Sequence, residues 1–495
     1  MLLKYIKTLF LFILICNSTL VVSQSVSGKV ISKSNEAIPY ATIQIGENHG
    51  VISNEEGSFS IDTQGFSEKD SVTISCLGFE KLSFILENFK SKEYILNDKI
   101  NELSEVLITN KNLSVDSILY FVNANLHKNY KNHLNELKIF SRKTEFINGK
   151  SANFEIKKST GFKRKQLKLF NDDFDKLETS LLNNKSKQYT EFVGDLKILD
   201  DTNAKLKVEK AIQLRDEKNN QSMESIADRG QEIVLKHLDK DKIYTVKSGL
   251  FKVSDSASLN KEEIKKSQDT IKTLKLAKKA TFRQLNKSSF IHPDTKLDFV
   301  TSTNKYNYTI KDITYLNNEM IYIIDFSSKR SSALYSGTMY VANDNFAVIR
   351  ADYSFHKNRV GDKFNLKLLL GVKYVEKNQK GIVVYKKDDD GYYYPSYLNE
   401  QIDRYFYVNR PVKFIENSNR SNKVAFNFEI EGTYKEKNEL LILSREEIDN
   451  TLFNNYTEFD KIEYETPKVY DPSIWSDYNV LEPLNEMKNF KVDNQ

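Results

Sequence analysis

Residues 50–61 read Gly-Val-Ile-Ser-Asn-Glu-Glu-Gly-Ser-Phe-Ser-Ile. Val51 and Ile52 start a short strand, Asn54 to Gly57 make an acidic turn, and Phe59 and Ile61 alternate with serines in the strand that returns. Gly57 supplies the positive φ that closes such a turn. The same pattern continues on both sides. Val26 to Ile31 alternates, and Ala41 to Ile45 alternates after Pro39. Ser71 to Cys76 and Lys81 to Leu86 supply two further strands. Short alternating strands separated by turn residues predict an all-β sandwich of the prealbumin or immunoglobulin-like kind over residues 24–109.

Four segments within this stretch carry a family resemblance. Gly28-Lys-Val, Ile38-Pro-Tyr-Ala-Thr-Ile43, Ser53-Asn-Glu-Glu-Gly-Ser-Phe59 and Ser75-Cys-Leu-Gly-Phe79 occur in the order found in the carboxypeptidase-regulatory-like domain. Ser53-Asn54 stands where that family more often has Thr-Asp. The resemblance implies an accessory β-domain of outer-membrane and periplasmic proteins, not the peptidase itself. Leu103 to Ile108 resembles the strand that follows this domain in TonB-dependent receptors, but no plug or barrel pattern comes after it.

The chain opens with Lys4 and Lys7, then an apolar run from Leu9 to Ile15 and polar residues at Asn17 and Ser18. Val21 and Ser23 fit a cut before Gln24, so residues 1–23 read as a secretory signal peptide. The apolar run falls short of the roughly 20 residues that span a bilayer. Cys16 follows Ile15, whereas a lipoprotein signal wants a small residue there. Removing the leader takes two lysines and lowers the formal charge from +5 to +3, which implies no nucleic-acid partner. Cys76 is then the only cysteine, and it reads as a small buried residue.

Beyond the sandwich, Ser114 predicts a helix N-cap before an apolar stripe at Val115, Ile118, Leu119, Val122 and Leu126. Leu137 to Phe146 and Ala152 to Ile156 read as strands around a turn at Asn148-Gly149. Residues 160–245 are lysine-rich and polar, with a helix over 228–239. Glu262 to Leu285 reads as a solvated basic amphipathic helix carrying Ile264, Ile271, Leu274 and Leu276. Residues 110–285 thus form a mixed helix and strand region.

From residue 286 to 440 the pattern becomes an antiparallel β-meander. Its strands are Tyr306–Ile310, Glu319–Phe326, Gly337–Val341, Phe346–Asp352, Phe364–Val375, Gly381–Tyr385, Tyr392–Leu398 and Val424–Gly432. The fold class is therefore mainly β with helices: the sandwich, then a large curved antiparallel sheet with flanking helices. Lys and Asp recur too often on these strands for a membrane barrel. The segment order resembles the periplasmic part of uncharacterised outer-membrane-associated proteins. The hairpin pattern also resembles the curved half-barrel of lipoprotein-localisation factors. Residues 441–495 are expected to pack on the sheet, anchored by Trp475.

Candidate chemistry is sparse. The histidines are His49, His127, His133, His237, His292 and His356, and none forms a His-Glu-x-x-His motif. Asn54, Glu55 and Glu56 offer too few oxygens for calcium, and Asp388-Asp-Asp-Gly391 reads as a hairpin turn. No Gly-x-Ser-x-Gly is present. The expectation is no catalytic, cofactor-binding or metal-binding residue and no cofactor. The leading functional reading is a non-enzymatic envelope protein, a periplasmic accessory or docking component at the outer membrane with outer-membrane or periplasmic proteins as partners. The alternative is a carrier of lipid or lipoprotein on the curved sheet, and a hydrolase stands third.

Overall fold

The computed structural model describes residues 25–46, 49–99, 113–131, 135–160, 164–183, 187–215, 223–238, 242–248, 251–258, 273–316, 319–459 and 461–492. The leader with Cys16, the 103–108 stretch, His133, Ile264 and Ile271 lie outside them. The chain divides into two units. One joins Met1–Lys99 to Asp471–Leu484, and the other joins Ile100–Tyr470 to Asn485–Gln495.

The first unit is the expected sandwich. Its strands are β1 (Ser25–Ser32), β2 (Thr42–Ile45), β3 (His49–Ile52), β4 (Ser58–Asp62), β5 (Ser71–Ser75), β6 (Leu82–Ile85) and β7 (Glu93–Leu96). They form two sheets, ordered β4-β1-β7 and β3-β2-β5-β6. Alternation sends Val30, Phe59 and Ile61 from one sheet against Ile43, Ile45, Val72 and Ile74 from the other. Each such fully buried side chain contributes roughly 1.5–3 kcal/mol relative to exposure. Cys76 is a buried free thiol in this core. Gly57 has φ +77°, and a Cβ there would meet the Val30 carbonyl oxygen at 2.4 Å.

Trp475 lies within the segment Asp471–Leu484, which joins the sandwich unit. It is buried, with the Tyr478 ring edge-on at 6.1 Å.

The second unit begins with α1 (Val115–Asn129), capped by Ser114 Oγ accepting from the Ser117 N–H at 3.2 Å. Then come β8 (Asn135–Ser159), α2 (Arg164–Asn183), β9 (Gln188–Ile198), β10 (Ala204–Leu214), α3 (Met223–His237), β11 (Ile243–Ser248) and β12 (Phe251–Ser258). Next are α4 (Thr273–Ser288), α5 (Asp298–Thr301), β13 (Tyr306–Leu316), β14 (Glu319–Ser328), β15 (Tyr335–Ala342) and β16 (Val348–Phe355). Then follow β17 (Lys363–Leu366), α6 (Lys367–Leu370), β18 (Val372–Lys387), β19 (Tyr393–Glu416), β20 (Lys423–Glu447), α7 (Asn450–Asn455) and α8 (Asn485–Lys488).

These strands build one open antiparallel sheet of 13 strands, ordered β10-β9-β8-β20-β19-β18-β16-β15-β14-β13. Strand β11 pairs with β12 and β19, and β17 with β18. Strands β8 to β12, from the stretch read as mixed, are thus part of the same sheet as the meander.

One face of the sheet is apolar and carries the helices. Ile147 and Phe154 of β8, Phe406 of β19, and Val424, Phe426 and Ile430 of β20 meet Phe170, Phe174, Leu177 and Leu181 of α2, with Ile226 and Val234 of α3. Toward the other end, Phe299 of α5 stacks on Phe326 with ring centroids 4.1 Å apart, flanked by Tyr335 and Tyr353. Leu274 of α4 is buried, while Leu276 on the same helix is 60% exposed.

Two expectations are corrected. Asn148-Gly149 is not a turn: β8 runs through it, paired to β20 on both sides of a bulge beside Gly149. Gly149 is needed there because a Cβ would lie 2.6 Å from the Leu181 carbonyl oxygen of α2. Phe364–Val375 is not one strand. Gly371 turns left-handed at φ +67° and folds β17 and α6 back on β18 as a hairpin.

Candidate functional site

Between the two apolar regions of the helix-covered face lies a polar belt. Strand register builds it. Glu376 of β18 faces Arg404 of β19, Arg404 faces Tyr434 of β20, and Glu436 faces Glu145 of β8. Cross-strand neighbours of opposite charge stabilise a sheet and like charges oppose it. The Glu436–Glu145 juxtaposition is offset by Lys143, whose Nζ lies 2.8 Å from Glu145 Oε1 and 3.6 Å from Glu436 Oε2. Arg404 reaches Glu436 Oε1 at 3.4 Å and Glu376 Oε1 at 3.7 Å. Asn438 Nδ2 donates to Glu436 at 3.0 Å.

Tyr434 sits at the centre. Its hydroxyl bonds Glu145, and it lies 2.7 Å from Glu436 Oε2. Burial, then the two carboxylates, push its ionisation far above the ordinary phenol range. Burial works against the charge of Glu436, but Lys143, Arg404, Tyr434 and Asn438 outweigh it and hold its carboxyl below the ordinary value. Glu436 and the other partners likewise overcome the burial of Arg404 and raise its guanidinium. Arg404 Nη1 is buried without a hydrogen-bond partner.

In chemical terms, a phenol held protonated between ion-paired carboxylates donates hydrogen bonds and is no nucleophile. No sequence motif marks this belt, because its members come from four strands and meet only through register.

Of the residues singled out in the sequence, the described histidines stay apart. His49 Nε2 lies 2.7 Å from the Asp62 carbonyl oxygen, and His237 Nε2 lies 2.9 Å from Asp173 Oδ2. His292 Nδ1 accepts from the Asp294 N–H at 3.0 Å, and its Nε2 is buried without a partner. Among the described residues, no group of three His, Cys, Asp or Glu side chains is placed to hold a metal.

Asp388–Gly391 forms the β18–β19 hairpin turn. Asp388 Oδ1 accepts from the Tyr392 N–H at 2.7 Å, and Arg445 pairs with the other oxygen. Asn54 is not solvated. It is 2% exposed and clasps the returning segment of its own unit. Its Oδ1 takes the N–H groups of Glu56 and Ser58 at 2.9 and 3.0 Å. Its Nδ2 donates to the carbonyl oxygens of Glu482 and Pro483, each at 3.1 Å.

No curated protein matches the chain. Solved structures that resemble it share little sequence. A domain provisionally named as an outer membrane lipoprotein-sorting protein, from Vibrio parahaemolyticus, is 6% identical, with 68% of this chain and 95% of that one covered at a TM-score of 0.19. A LolA superfamily protein from Nitrosomonas europaea is 7% identical, covering 69% and 97% at 0.18. A DUF1329 family protein from Desulfovibrio piger is 10% identical, covering 64% and 90% at 0.15. TM-scores of this size are too low to identify a shared fold, so the architecture of the second unit rests on its own strand order. The four ordered segments of the sandwich lead elsewhere: residues 26–108 match the family model of the CarboxypepD_reg-like domain.

Proposed function

We propose that this chain is a non-enzymatic component of the bacterial cell envelope, exported to the periplasm and associated with the outer membrane as an accessory or docking protein. The observation that carries this reading is the state of the large sheet. Its apolar face is filled by the chain's own helices α2 and α3, and the ionisable groups of its polar belt are spent on one another. Such a body is a scaffold, with its chemistry turned inward. The CarboxypepD_reg-like domain supports the envelope assignment, because that family accompanies envelope proteins. Among the described residues, no helix is long and apolar enough to cross a membrane.

The test is crosslinking in whole cells followed by affinity purification from outer membranes. Recovery of specific envelope proteins supports docking; recovery of none sinks it.

A second reading, a lipid or lipoprotein carrier, is favoured by one cavity of about 510 Å³ beside strand β10. Leu206, Ala211, Leu274, Phe459 and Ile462 supply its apolar lining, and its size lies within the range of ligand pockets. Lipid copurifying with the chain, seen by mass spectrometry, would move the assignment to a carrier.

A further inference from the structure

The hairpin of β17, α6 and β18 ends in Lys363-Phe-Asn-Leu-Lys-Leu-Leu-Leu-Gly371. Its apolar side chains point into solvent. Leu368 is 102% exposed and Leu369 81%, with Phe364 at 50% and Leu366 at 39%. Single exposed apolar residues are ordinary on a protein surface, but a contiguous apolar group marks an interaction site.

The tip is held open by specific bonds. The left-handed Gly371 donates its N–H to the Lys367 carbonyl at 3.1 Å and accepts from the Asn409 N–H at 2.7 Å. Arg410 Nη1 donates to the Leu370 carbonyl at 2.8 Å. The Phe364 ring stacks on Tyr374 at 5.5 Å.

The surroundings are cationic and aromatic. Lys363 and Lys367 are part of the tip itself. Lys367 Nζ lies 4.0 Å from the Tyr407 ring centroid. Lys373, Lys377 and Lys150 gather around Tyr405 at 5.6, 4.8 and 5.7 Å. Among the described residues, none of these five lysines pairs with a carboxylate. Nearby acids are engaged: Glu376 takes the Tyr374 hydroxyl and the Asp362 N–H, each at 3.1 Å. Glu429 takes the Tyr407 hydroxyl at 3.2 Å and Asn409 Nδ2 at 2.8 Å.

Leucines at the tip, aromatic rings at its root and unpaired lysines around them reproduce the layers of a bilayer interface. Acyl chains take the leucines, the headgroup region takes aromatic rings, and anionic phosphates take lysines. We propose that the 363–371 hairpin inserts its leucines into the surface of an anionic lipid bilayer. This deepens the docking reading by naming a lipid surface as one thing the body meets.

The test is cosedimentation of the purified full chain with vesicles of phosphatidylethanolamine and phosphatidylglycerol, against neutral phosphatidylcholine vesicles. The chain is expected to sediment with the anionic vesicles, less so as salt rises. The Leu368→Ser, Leu369→Ser double variant is expected to lose binding by about tenfold or more. Lys363→Gln with Lys367→Gln should weaken binding and flatten its salt dependence. Phe364→Trp adds a second readout, a fluorescence blue shift on vesicle addition. The leucines are exposed, so an unchanged melting curve shows that the variants are folded. Wild-type protein that stays in the supernatant overturns the inference, and so does a leucine variant that sediments like wild type. Loss of a captured envelope protein in that variant, with no vesicle binding by wild type, also overturns it and assigns the tip to a protein. The vesicle assay contains no envelope protein, so its failure and the failure of partner capture are separate results.

Discussion

Arg142 Nε donates to Glu191 Oε1 at 2.5 Å across adjacent strands, with both side chains almost wholly buried. Glu439 of β20 faces Arg142 on its other side in register. Burial opposes the guanidinium charge, but Glu191 and Glu439 more than restore it. Breaking such a pair leaves an uncompensated buried charge, which costs about 3–5 kcal/mol. Glu191→Ala is therefore expected to lower stability by about that amount in urea unfolding. Arg142→Met with Glu191→Leu should recover much of the loss, because the penalty lies in the orphaned charge.

The Asn54 clasp separates two roles by its two ends. Asn54→Asp keeps the oxygen that bonds Glu56 and Ser58 but loses the donor to Glu482 and Pro483. The unpaired carbonyls should cost about 1–3 kcal/mol. Limited proteolysis mapped by mass spectrometry should show new cleavage within 471–484, with the β3–β4 turn still resistant.

Gly149→Ala tests the packing of α2 on β8. The added methyl would press on the Leu181 carbonyl oxygen at 2.6 Å, so the helix must shift. Overpacking of this kind costs about 1–3 kcal/mol. Hydrogen exchange should quicken across Phe170 to Leu181 before it quickens elsewhere.

Lys287 gives a pH signature. Burial, with Lys296 and Arg283 nearby, lowers its ammonium to about 8. The unfolded chain holds that proton up to about pH 10.4, so between those values it binds more protons than the folded one. Stability from this group therefore rises with pH across that window and is at its worst below pH 8. Lys287→Met should be more stable than wild type at pH 7, and the gain should shrink by pH 10. Thermal melts of both proteins at the two pH values measure the difference.

The legible parts of the sequence were those where one face alternates against one core. The sandwich strands have that form, and so does α1, whose Ser114 cap and buried Ile118, Leu119, Val122 and Leu126 all stand in the sequence. Helix α2 carries Phe170, Phe174, Leu177 and Leu181 at helical spacing, but charged neighbours dilute the stripe. Strand β9 is buried on both faces and includes Gln188 and Glu191, so no alternation survives to be read. The leucine run at 368–370 reads as core by composition, and Gly371 alone signals the reversal that exposes it. The polar belt was illegible for another reason. Arg404 meets Glu376 and Tyr434 only after register and a bulge between Glu376 and Asn378 have been set.

The sandwich unit draws on residues before 100 and again on residues 471–484. The large sheet is thus an insertion within the smaller unit in topological terms. Some 370 intervening residues, Ile100–Tyr470, must be made before the clasp at Asn54 can close. The sandwich unit is therefore begun at one end of the chain and completed only near the other. Until then the Asn54 amide waits for its carbonyl partners, and a chain stopped before residue 482 lacks them altogether.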